Sequence, residues 1–489
     1  MSNRKLFMRK RDALLFVVCI VASFLIFSSD THKFNNLLLF LPLIYGLCYV
    51  LILAPLRIRT GSKTVFWFAI VEFIRLVFVP CYEALNEYIG FYGFSTQDTS
   101  LLKRSVLLMS YECVFVSFFL LIALRNMVKE TDKEGIDVMP LGNDALALII
   151  VLLLGVLLYL IVPEVNKSLN FMFLEPNSTK VRALTTGSQS SLSVGLISFT
   201  YYAFLCGFII ALDYTKRRYD ISGSTQYVFM ATIVGLIAVS IINGESRSTT
   251  VYSLYAITQS LCICFKKYRK IIIRILVISG VVVLLGITAY RLFAVYKYSS
   301  YSSALQGASL RKNYLPSFIE MYLLGPQSVA CGIHFSDQMR ENFTIGTFFY
   351  DIFRPFMGLN FIAKSFNSST SIMMYNSWFS GIEGKSNGLF LQISNQGYCY
   401  FGLLLAPVYA CIFLGIAIFI EKKLKQTKML FLTFFYNYVY IRVATCVTAG
   451  TMSGYISTIS MTVIMCGAIY LFQKLFSSTG TKKARILQH

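Results

Sequence analysis

The chain has 489 residues, of which 56% are hydrophobic and only 14% charged, and its mean hydropathy is +0.64. This composition excludes an ordinary soluble domain, in which about a quarter of the residues are charged. The formal net charge is +21, but the basic residues are distributed over seven short clusters along the chain. A nucleic-acid-binding protein would gather them on one face, so nucleic acid is not an expected partner.

Twelve apolar windows follow one another along the chain. Several of them supply the roughly 20 apolar residues that a helix needs to cross a bilayer. They lie near residues 12–28, 36–54, 64–81, 105–124, 144–162, 191–212, 226–243, 249–265, 271–290, 401–420, 429–448 and 454–473. The predicted fold class is an all-α polytopic membrane protein with about twelve transmembrane helices.

Basic clusters occupy alternate connections between these windows. They lie at residues 4–11, 57–63, 125–133, 216–218, 266–270, 422–428 and 474–485. The positive-inside rule assigns all of them, and both termini, to the cytoplasm. Two external connections are then long, residues 163–190 and residues 291–400. We therefore predict transmembrane helices 1–9 within residues 1–290, one large external (periplasmic) loop with interfacial helices over residues 291–400, and helices 10–12 with a cytoplasmic basic tail over residues 401–489.

The large external loop is too apolar and aromatic for a disordered segment, and loops of such length are usually functional. Two apolar stripes at helical spacing predict helices within it. The first covers residues 315–323 around Pro316, and the second covers residues 348–356, with Asp351 and Arg354 on its more polar side. The second stripe resembles a helix in the plane of the membrane interface. The two stripes either anchor the loop or contribute to lipid binding.

The second half of this loop mixes amides, hydroxyls and aromatic rings. Such a mixture suits sugars, which offer C–H faces to aromatic rings and hydroxyl groups to amides. The predicted sugar-binding residues are Trp378, Asn395, Gln396 and Tyr398. Tryptophan and tyrosine are also common anchors at membrane interfaces, and that alternative stays open.

Basic residues on the external side run against the positive-inside trend. They include Lys180, Arg182, Arg247, Arg291, Arg311, Lys312, Arg340 and Arg354. The planar fork of arginine suits a diphosphate, and a site at the bilayer surface would meet the head group of a lipid-linked diphosphate. The alternative is a solvated charge or a contact with anionic lipid.

Charged residues inside the predicted spans each cost roughly 2.5–3.5 kcal/mol on insertion scales. We therefore expect them to face the protein interior; they are Glu72, Arg75, Glu112 and Arg442. Glu72 and Arg75 are spaced to pair on one helix, either as a structural ion pair or as a charged wall of a substrate cavity.

Only three histidines exist, and His334 alone falls in the large external loop. Imidazole accepts a proton near neutral pH, which makes His334 the natural candidate for a general base. The alternative for a single histidine is a hydrogen-bonded structural role.

Three local motifs accompany this topology. They are Gly244-Glu245-Ser246-Arg247, the stretch from Tyr322 to Pro326, and the stretch from Asn395 to Gly402 at the mouth of span ten. With twelve spans, cytoplasmic termini and one large late loop, the chain resembles, over nearly its whole length, the bacterial O-antigen and capsular polysaccharide repeat-unit polymerase (Wzy) family.

The resemblance implies a GT-C-like helical fold that polymerises undecaprenyl-diphosphate-linked oligosaccharide units at the outer face of the bacterial inner membrane. Such an enzyme is a metal-independent glycosyltransferase without a cofactor. Its implied partners are the lipid-linked oligosaccharide, membrane lipid, a chain-length regulator and a flippase.

The resemblance to the family and its related ligases also implies roles for individual residues. His334 becomes the base, with Glu320, Asp351 and Glu383 as rivals. The expected diphosphate ligands are Arg182, Arg247, Arg291 and Arg354. The paired arginine-to-glycine spacings of some family members are not found in this chain.

Two other functions remain open. An O-antigen ligase uses the same donor but transfers the polymer to a lipid A core. A polysaccharide flippase or transporter also has about twelve spans, but it would not explain the long late loop, and the chain has no internal repeat.

Overall fold

The computed structural model describes residues 10–29, 36–86, 91, 99–127, 139–141, 144–171, 191–243, 247–296, 319–320, 322–363, 365–367, 369–383, 389–448 and 450–486. Over these residues the chain is almost entirely helical, apart from one ribbon with three residues in each strand. The predicted all-α class is therefore confirmed, and long apolar helices indicate a membrane-embedded protein.

The principal helices of the first half are α1 (Lys10–Ser28), α2 (Leu37–Thr60), α3 (Lys63–Leu85), α4 (Thr99–Ala123), α5 (Asp144–Ile161), α6 (Pro163–Ser168), α7 (Ser191–Ser222), α8 (Thr225–Val239), α9 (Arg247–Cys264) and α10 (Arg269–Tyr296). Those of the second half are α11 (Pro326–Gln338), α12 (Ile345–Phe353), α13 (Asn360–Ala363), α14 (Ser371–Glu383), α15 (Ile393–Leu405), α16 (Val408–Leu424), α17 (Leu430–Ala444) and α18 (Met452–Ile486).

A helix lies at every predicted span. Within the described part of the chain, six helices are long and apolar enough to cross a membrane, or seven if the bent pair α15 and α16 forms one span. Shorter apolar helices lie at residues 145–161, 225–239 and 430–444. The count of twelve spans stays a prediction.

The chain divides into two compact units. The first unit comprises Met1–Lys133, Arg311–Glu421 and Arg442–Ser457, and the second comprises Glu134–Leu310, Lys422–Ile441 and Thr458–His489. In the first unit, α1 packs on α2, and α11 packs on both α4 and α15. In the second unit, α5 packs along α7.

Contacts in the first unit join segments that the sequence predicts on one side of the membrane. Arg57 donates to Asp12 at 3.1 Å. The buried carboxylate of Glu421 accepts from the hydroxyls of Ser62 and Thr64, both at 2.7 Å, at the N-terminus of α3. These contacts are consistent with the predicted common face of the three segments.

The second unit has contacts of the same kind. Strand β1 (Leu169–Phe171) pairs antiparallel with β2 (Ile241–Asn243), so that the external connection at residues 163–190 meets the outer end of the span predicted at residues 226–243. At the predicted cytoplasmic side, Met139 N–H donates to the carbonyl of Lys428 at 2.9 Å. Both contacts therefore follow the predicted alternation of sides.

Helices α2 and α3 each contain a π-helical turn, at Tyr49–Leu53 and Ile74–Phe78. Each turn ends two residues before a proline, Pro55 or Pro80. Proline lacks the N–H that would bond the carbonyl four residues earlier, and a π turn is one way for a helix to absorb that break. The turn in α3 carries Arg75.

The predicted span at residues 401–420 is wrong as a single straight helix. Helices α15 and α16 are bent by 108° at a break between them. Gly402 has φ 70°, a left-handed conformation that glycine adopts without strain, and Pro407 follows before α16 begins. The chain therefore turns sharply within the predicted span.

We predict that Gly397→Ala destabilises this bend. A Cβ at residue 397 would lie 2.1 Å from the carbonyl oxygen of Ala406, and backbone cannot move aside as a flexible side chain can. We expect a loss of about 1–3 kcal/mol, measured as a lower thermal midpoint of the detergent-purified protein. Gly415→Ala is the matched control, because its Cβ would meet only the Phe119 ring at 3.6 Å. Equal midpoints for the two variants would contradict this close approach.

Candidate functional site

One face of α11 carries the candidate site of the first unit. His334, Asp337 and Gln338 are spaced three and four residues apart, which places them on the same side of a helix. His334 is half-buried, and the other two are exposed. The opposite face contributes Cys331 and Phe335 to the core. The helix therefore presents a polar face that includes the predicted base.

Trp378 of α14 closes one side of this face. Its ring centroid lies 5.8 Å from that of His334, and its indole N–H donates to the Gln338 side-chain oxygen at 2.7 Å. Phe335 and Tyr375 pack against the indole, and their ring centroids lie 5.4 and 6.0 Å from that of Trp378. The structure thus brings the predicted base together with one predicted sugar-binding residue.

Arg104 of α4 closes the other side. Its guanidinium makes two hydrogen bonds to the Asp337 carboxylate, at 2.6 and 3.0 Å, and a third to the Tyr398 hydroxyl at 2.5 Å. The side chains of Arg104 and Asp337 are each 40% exposed, so the pair is open to solvent. Tyr398 was predicted for sugar binding, whereas Arg104 was missed because nothing local distinguishes it from any other arginine at the edge of a span.

A buried ion triad lies within the predicted spans of the first unit. Arg75 donates to Glu72 at 2.9 Å and to Glu112 at 3.2 Å, and all three side chains are inaccessible to solvent. This confirms the predicted pair of Glu72 and Arg75 and the predicted inward orientation of Glu112. Arg442, the fourth charged residue of the predicted spans, is half-buried.

The ion triad also binds the segments that lead into α11 and α15. Arg75 donates to the Leu324 carbonyl at 3.3 Å, two residues before α11 begins. Glu112 accepts from the Gln392 amide at 2.7 Å and from the Ser394 hydroxyl at 2.6 Å, at the start of α15. One set of charges therefore positions both helices.

Glu320, a rival base, lies fully buried at the N-terminus of α11. Its carboxylate accepts the N–H of Ser328 at 3.0 Å, and a Cβ at Gly325 would lie 2.3 Å from it. A carboxyl group at this end of a helix complements the helix dipole. Burial nevertheless raises the pKa of Glu320 to about 8, against the lowering effect of the neighbouring backbone amides.

Asp351, the second rival base, has its carboxylate at the N-terminus of α14. Its carboxylate accepts the N–H of Ser371 at 2.9 Å and the hydroxyl of Tyr400 at 2.7 Å. Helix α12 exists as predicted, and Asp351, on the side predicted to be more polar, is only 1% exposed. Burial raises the pKa of Asp351, although these hydrogen bonds oppose the rise.

Asn395 and Gln396, predicted for sugar binding, are both buried. Asn395 donates to the Val329 carbonyl at 2.9 Å, across a close approach of α15 to Gly332 of α11. Gln396 donates to Ser371 at 3.2 Å and accepts the N–H of Met452 at 3.0 Å. These amides join helices of the first unit.

The predicted diphosphate ligands do not surround His334 in the described residues. Arg354 is exposed and lies over the ring of Tyr350 at 5.9 Å. Arg247 begins α9, and Arg291 lies in α10, but their side chains fall outside the described part of the structure, as does that of Glu383 at the end of α14. Arg182, and the first predicted stripe before residue 319, also lie outside it.

Over the described residues, no group of three or more His, Cys, Asp and Glu side chains is arranged to hold a metal ion. No protein-family model, curated protein or solved structure matches the chain.

We predict that Glu320→Gln changes the pH dependence of stability. The carboxyl holds its proton in the folded chain up to about pH 8, whereas an unfolded glutamate loses it near pH 4.3. The folded state is therefore favoured at low pH, and this contribution is lost as pH rises towards 8. Between pH 5.5 and 8 the thermal midpoint of the wild-type protein should fall by several degrees more than that of Glu320→Gln.

The matched control is Glu341→Gln, which removes an exposed carboxylate from the segment after α11. It should keep the pH dependence of the wild type. The same slope in Glu320→Gln would mean that Glu320 is ionised in the folded protein.

Proposed function

We propose that the chain polymerises undecaprenyl-diphosphate-linked oligosaccharide repeat units into O-antigen or capsular polysaccharide at the outer face of the bacterial plasma membrane. In this proposal the chain has twelve spans in a GT-C-like arrangement, with both termini in the cytoplasm. The observation that carries the proposal is the polar face of α11, where His334 lies between the half-buried Trp378 and the solvent-accessible Arg104.

The aromatic side of the face suits a sugar. An indole ring presents an apolar surface to the C–H groups of a pyranose, and the Gln338 amide beside it offers hydrogen bonds to hydroxyl groups. Tyr398 adds a second ring with a hydroxyl on the other side. Asn395 and Gln396 contribute by fixing the position of α15.

We assign the role of general base to His334. Glu320 and Asp351 accept backbone hydrogen bonds at helix N-termini and are inaccessible, whereas His334 is half-exposed beside Trp378. Imidazole takes the proton of an acceptor hydroxyl as its oxygen bonds to the anomeric carbon of the donor. The bond from that carbon to the diphosphate breaks, and undecaprenyl diphosphate leaves with the electron pair.

Arg104 supplies a cation near this base. Its fork already makes bidentate contact with the Asp337 carboxylate, which has the geometry that a phosphate would offer. Asp337 is three residues from His334, close to one helical turn, so an anion at Arg104 would lie near the reacting carbon. In this proposal Arg104 joins Arg182, Arg247, Arg291 and Arg354 as a diphosphate ligand.

We predict that His334→Gln abolishes polymerisation. Purified full-length protein supplied with undecaprenyl-diphosphate repeat units should yield a ladder of products, and the variant should lower the rate by about 10²–10⁴-fold, the usual contribution of a positioned base. Electrophoresis of the products measures the rate. Glu320→Gln and Asp351→Asn should retain the ladder, because their carboxyls are structural.

The matched control is His489→Gln, which changes another histidine of the chain and should be indistinguishable from the wild type. An unchanged ladder in His334→Gln, or its loss only in Glu320→Gln or Asp351→Asn, would assign the base elsewhere. Transfer only to an added lipid A core would identify a ligase, and movement of the lipid-linked unit without a new glycosidic bond would identify a transporter.

A further inference from the structure

Two basic segments of the second unit meet at the ends of its helices. One segment belongs to the last turns of α7, and the other runs from the 3₁₀ turn Lys266–Tyr268 into α10. The ring of Tyr219 joins them, because its centroid lies 5.3 Å from that of Phe265 and 6.2 Å from that of Tyr268. We call the combined surface the basic patch; its residues are Lys216, Arg217, Arg218, Lys266, Lys267, Arg269, Lys270 and Arg274.

The basic patch keeps a large positive charge. All of its members except the half-buried Lys216 are exposed. Two carboxylates accompany them on α7, and each is paired within that helix: Asp213 with Arg217 at 2.8 Å, and Asp220 with Lys216. Eight cations therefore share two carboxylates on these segments, which creates a strong attraction for an anion.

Aromatic rings are interleaved with these cations. Arg218 lies 5.5 Å from the ring of Tyr214, and Lys267 lies 5.8 Å from that of Tyr268. Tyrosine concentrates at the boundary between hydrocarbon and water, because its ring is apolar and its hydroxyl is polar. The patch thus has the composition of a surface at the depth of lipid head groups.

An exposed apolar surface continues directly from the patch along α10. It begins one residue after Lys270, where Ile271 is 56% exposed, and includes Ile278 at 61% and Leu285 at 66%. Other exposed members are Val277, Val281 and Val282. A soluble anion or an acidic protein segment would make no apolar contact with this surface, whereas an acyl chain would.

We infer that the basic patch is a binding site for an anionic phospholipid. The head-group phosphate contacts the lysines and arginines of both segments, and an acyl chain lies along the exposed side of α10. A zwitterionic lipid binds more weakly, because its head group has no net charge to attract the cations. This site lies in the second unit and does not depend on the proposed polymerase activity.

The test measures lipid retained by the purified full-length protein. Protein in detergent is mixed with equal amounts of dioleoyl phosphatidylglycerol and dioleoyl phosphatidylcholine, and bound lipids are counted by native mass spectrometry. The wild type should retain phosphatidylglycerol preferentially. The triple variant Lys266→Gln, Lys267→Gln, Lys270→Gln should retain at least about tenfold less of it, because three charges near the head group are lost.

The matched control is Lys422→Gln, Lys423→Gln, Lys425→Gln, which removes the same charge from exposed positions at the C-terminal end of α16 and should bind as the wild type does. Replacement of Lys266, Lys267 and Lys270 by arginine should also preserve binding, which separates charge loss from misfolding. Equal loss in both glutamine variants would overturn the inference. So would complete displacement of the lipid by glycerol 3-phosphate, which would assign the patch to a soluble anion.

Discussion

Arg75 lies between Glu72 and Glu112, and all three charged side chains are sealed from solvent between α3 and α4. An ion in this environment is stable only while its partners remain in contact, since removal of one partner from a buried pair typically costs about 3–5 kcal/mol. The same groups bind the Leu324 carbonyl, Gln392 and Ser394. The ion triad therefore fixes the starts of α11 and α15 relative to the membrane helices, and the candidate site is built from those two helices.

The acidic residues of the first unit are of two kinds, buried and accessible. Glu320 and Asp351 lie at helix N-termini, where burial and backbone hydrogen bonds fix them as structural groups. Asp337 instead remains exposed beside Arg104. The accessible ionisable groups at the polar face of α11 therefore include His334, Asp337 and, from α4, Arg104. This arrangement is the physical basis for choosing His334 as the base.

Sequence periodicity predicted the contacts between residues that are close together along the chain. Glu72 and Arg75 are three residues apart, so helical spacing brings them together, and the cost of charge in hydrocarbon turns them inward. Arg104 and Asp337 are separated by 233 residues, and no local pattern relates them. The stripe of phenylalanines predicted helix α12 but not its orientation. That orientation depends on contacts of Asp351 with Ser371 and Tyr400, which belong to other helices. The bend after Gly402 was missed because hydropathy does not detect a change of direction.

Hydrogen exchange in Arg75→Met tests most directly whether the ion triad holds the site. Mass spectrometry should show exchange accelerated at least about tenfold in residues 322–338 and 389–400, because the freed carboxylates no longer fix the two helix starts. Arg57→Met, which breaks the ion pair with Asp12 elsewhere in the first unit, should leave both segments as protected as in the wild type. Unchanged protection of these segments in Arg75→Met would contradict the account.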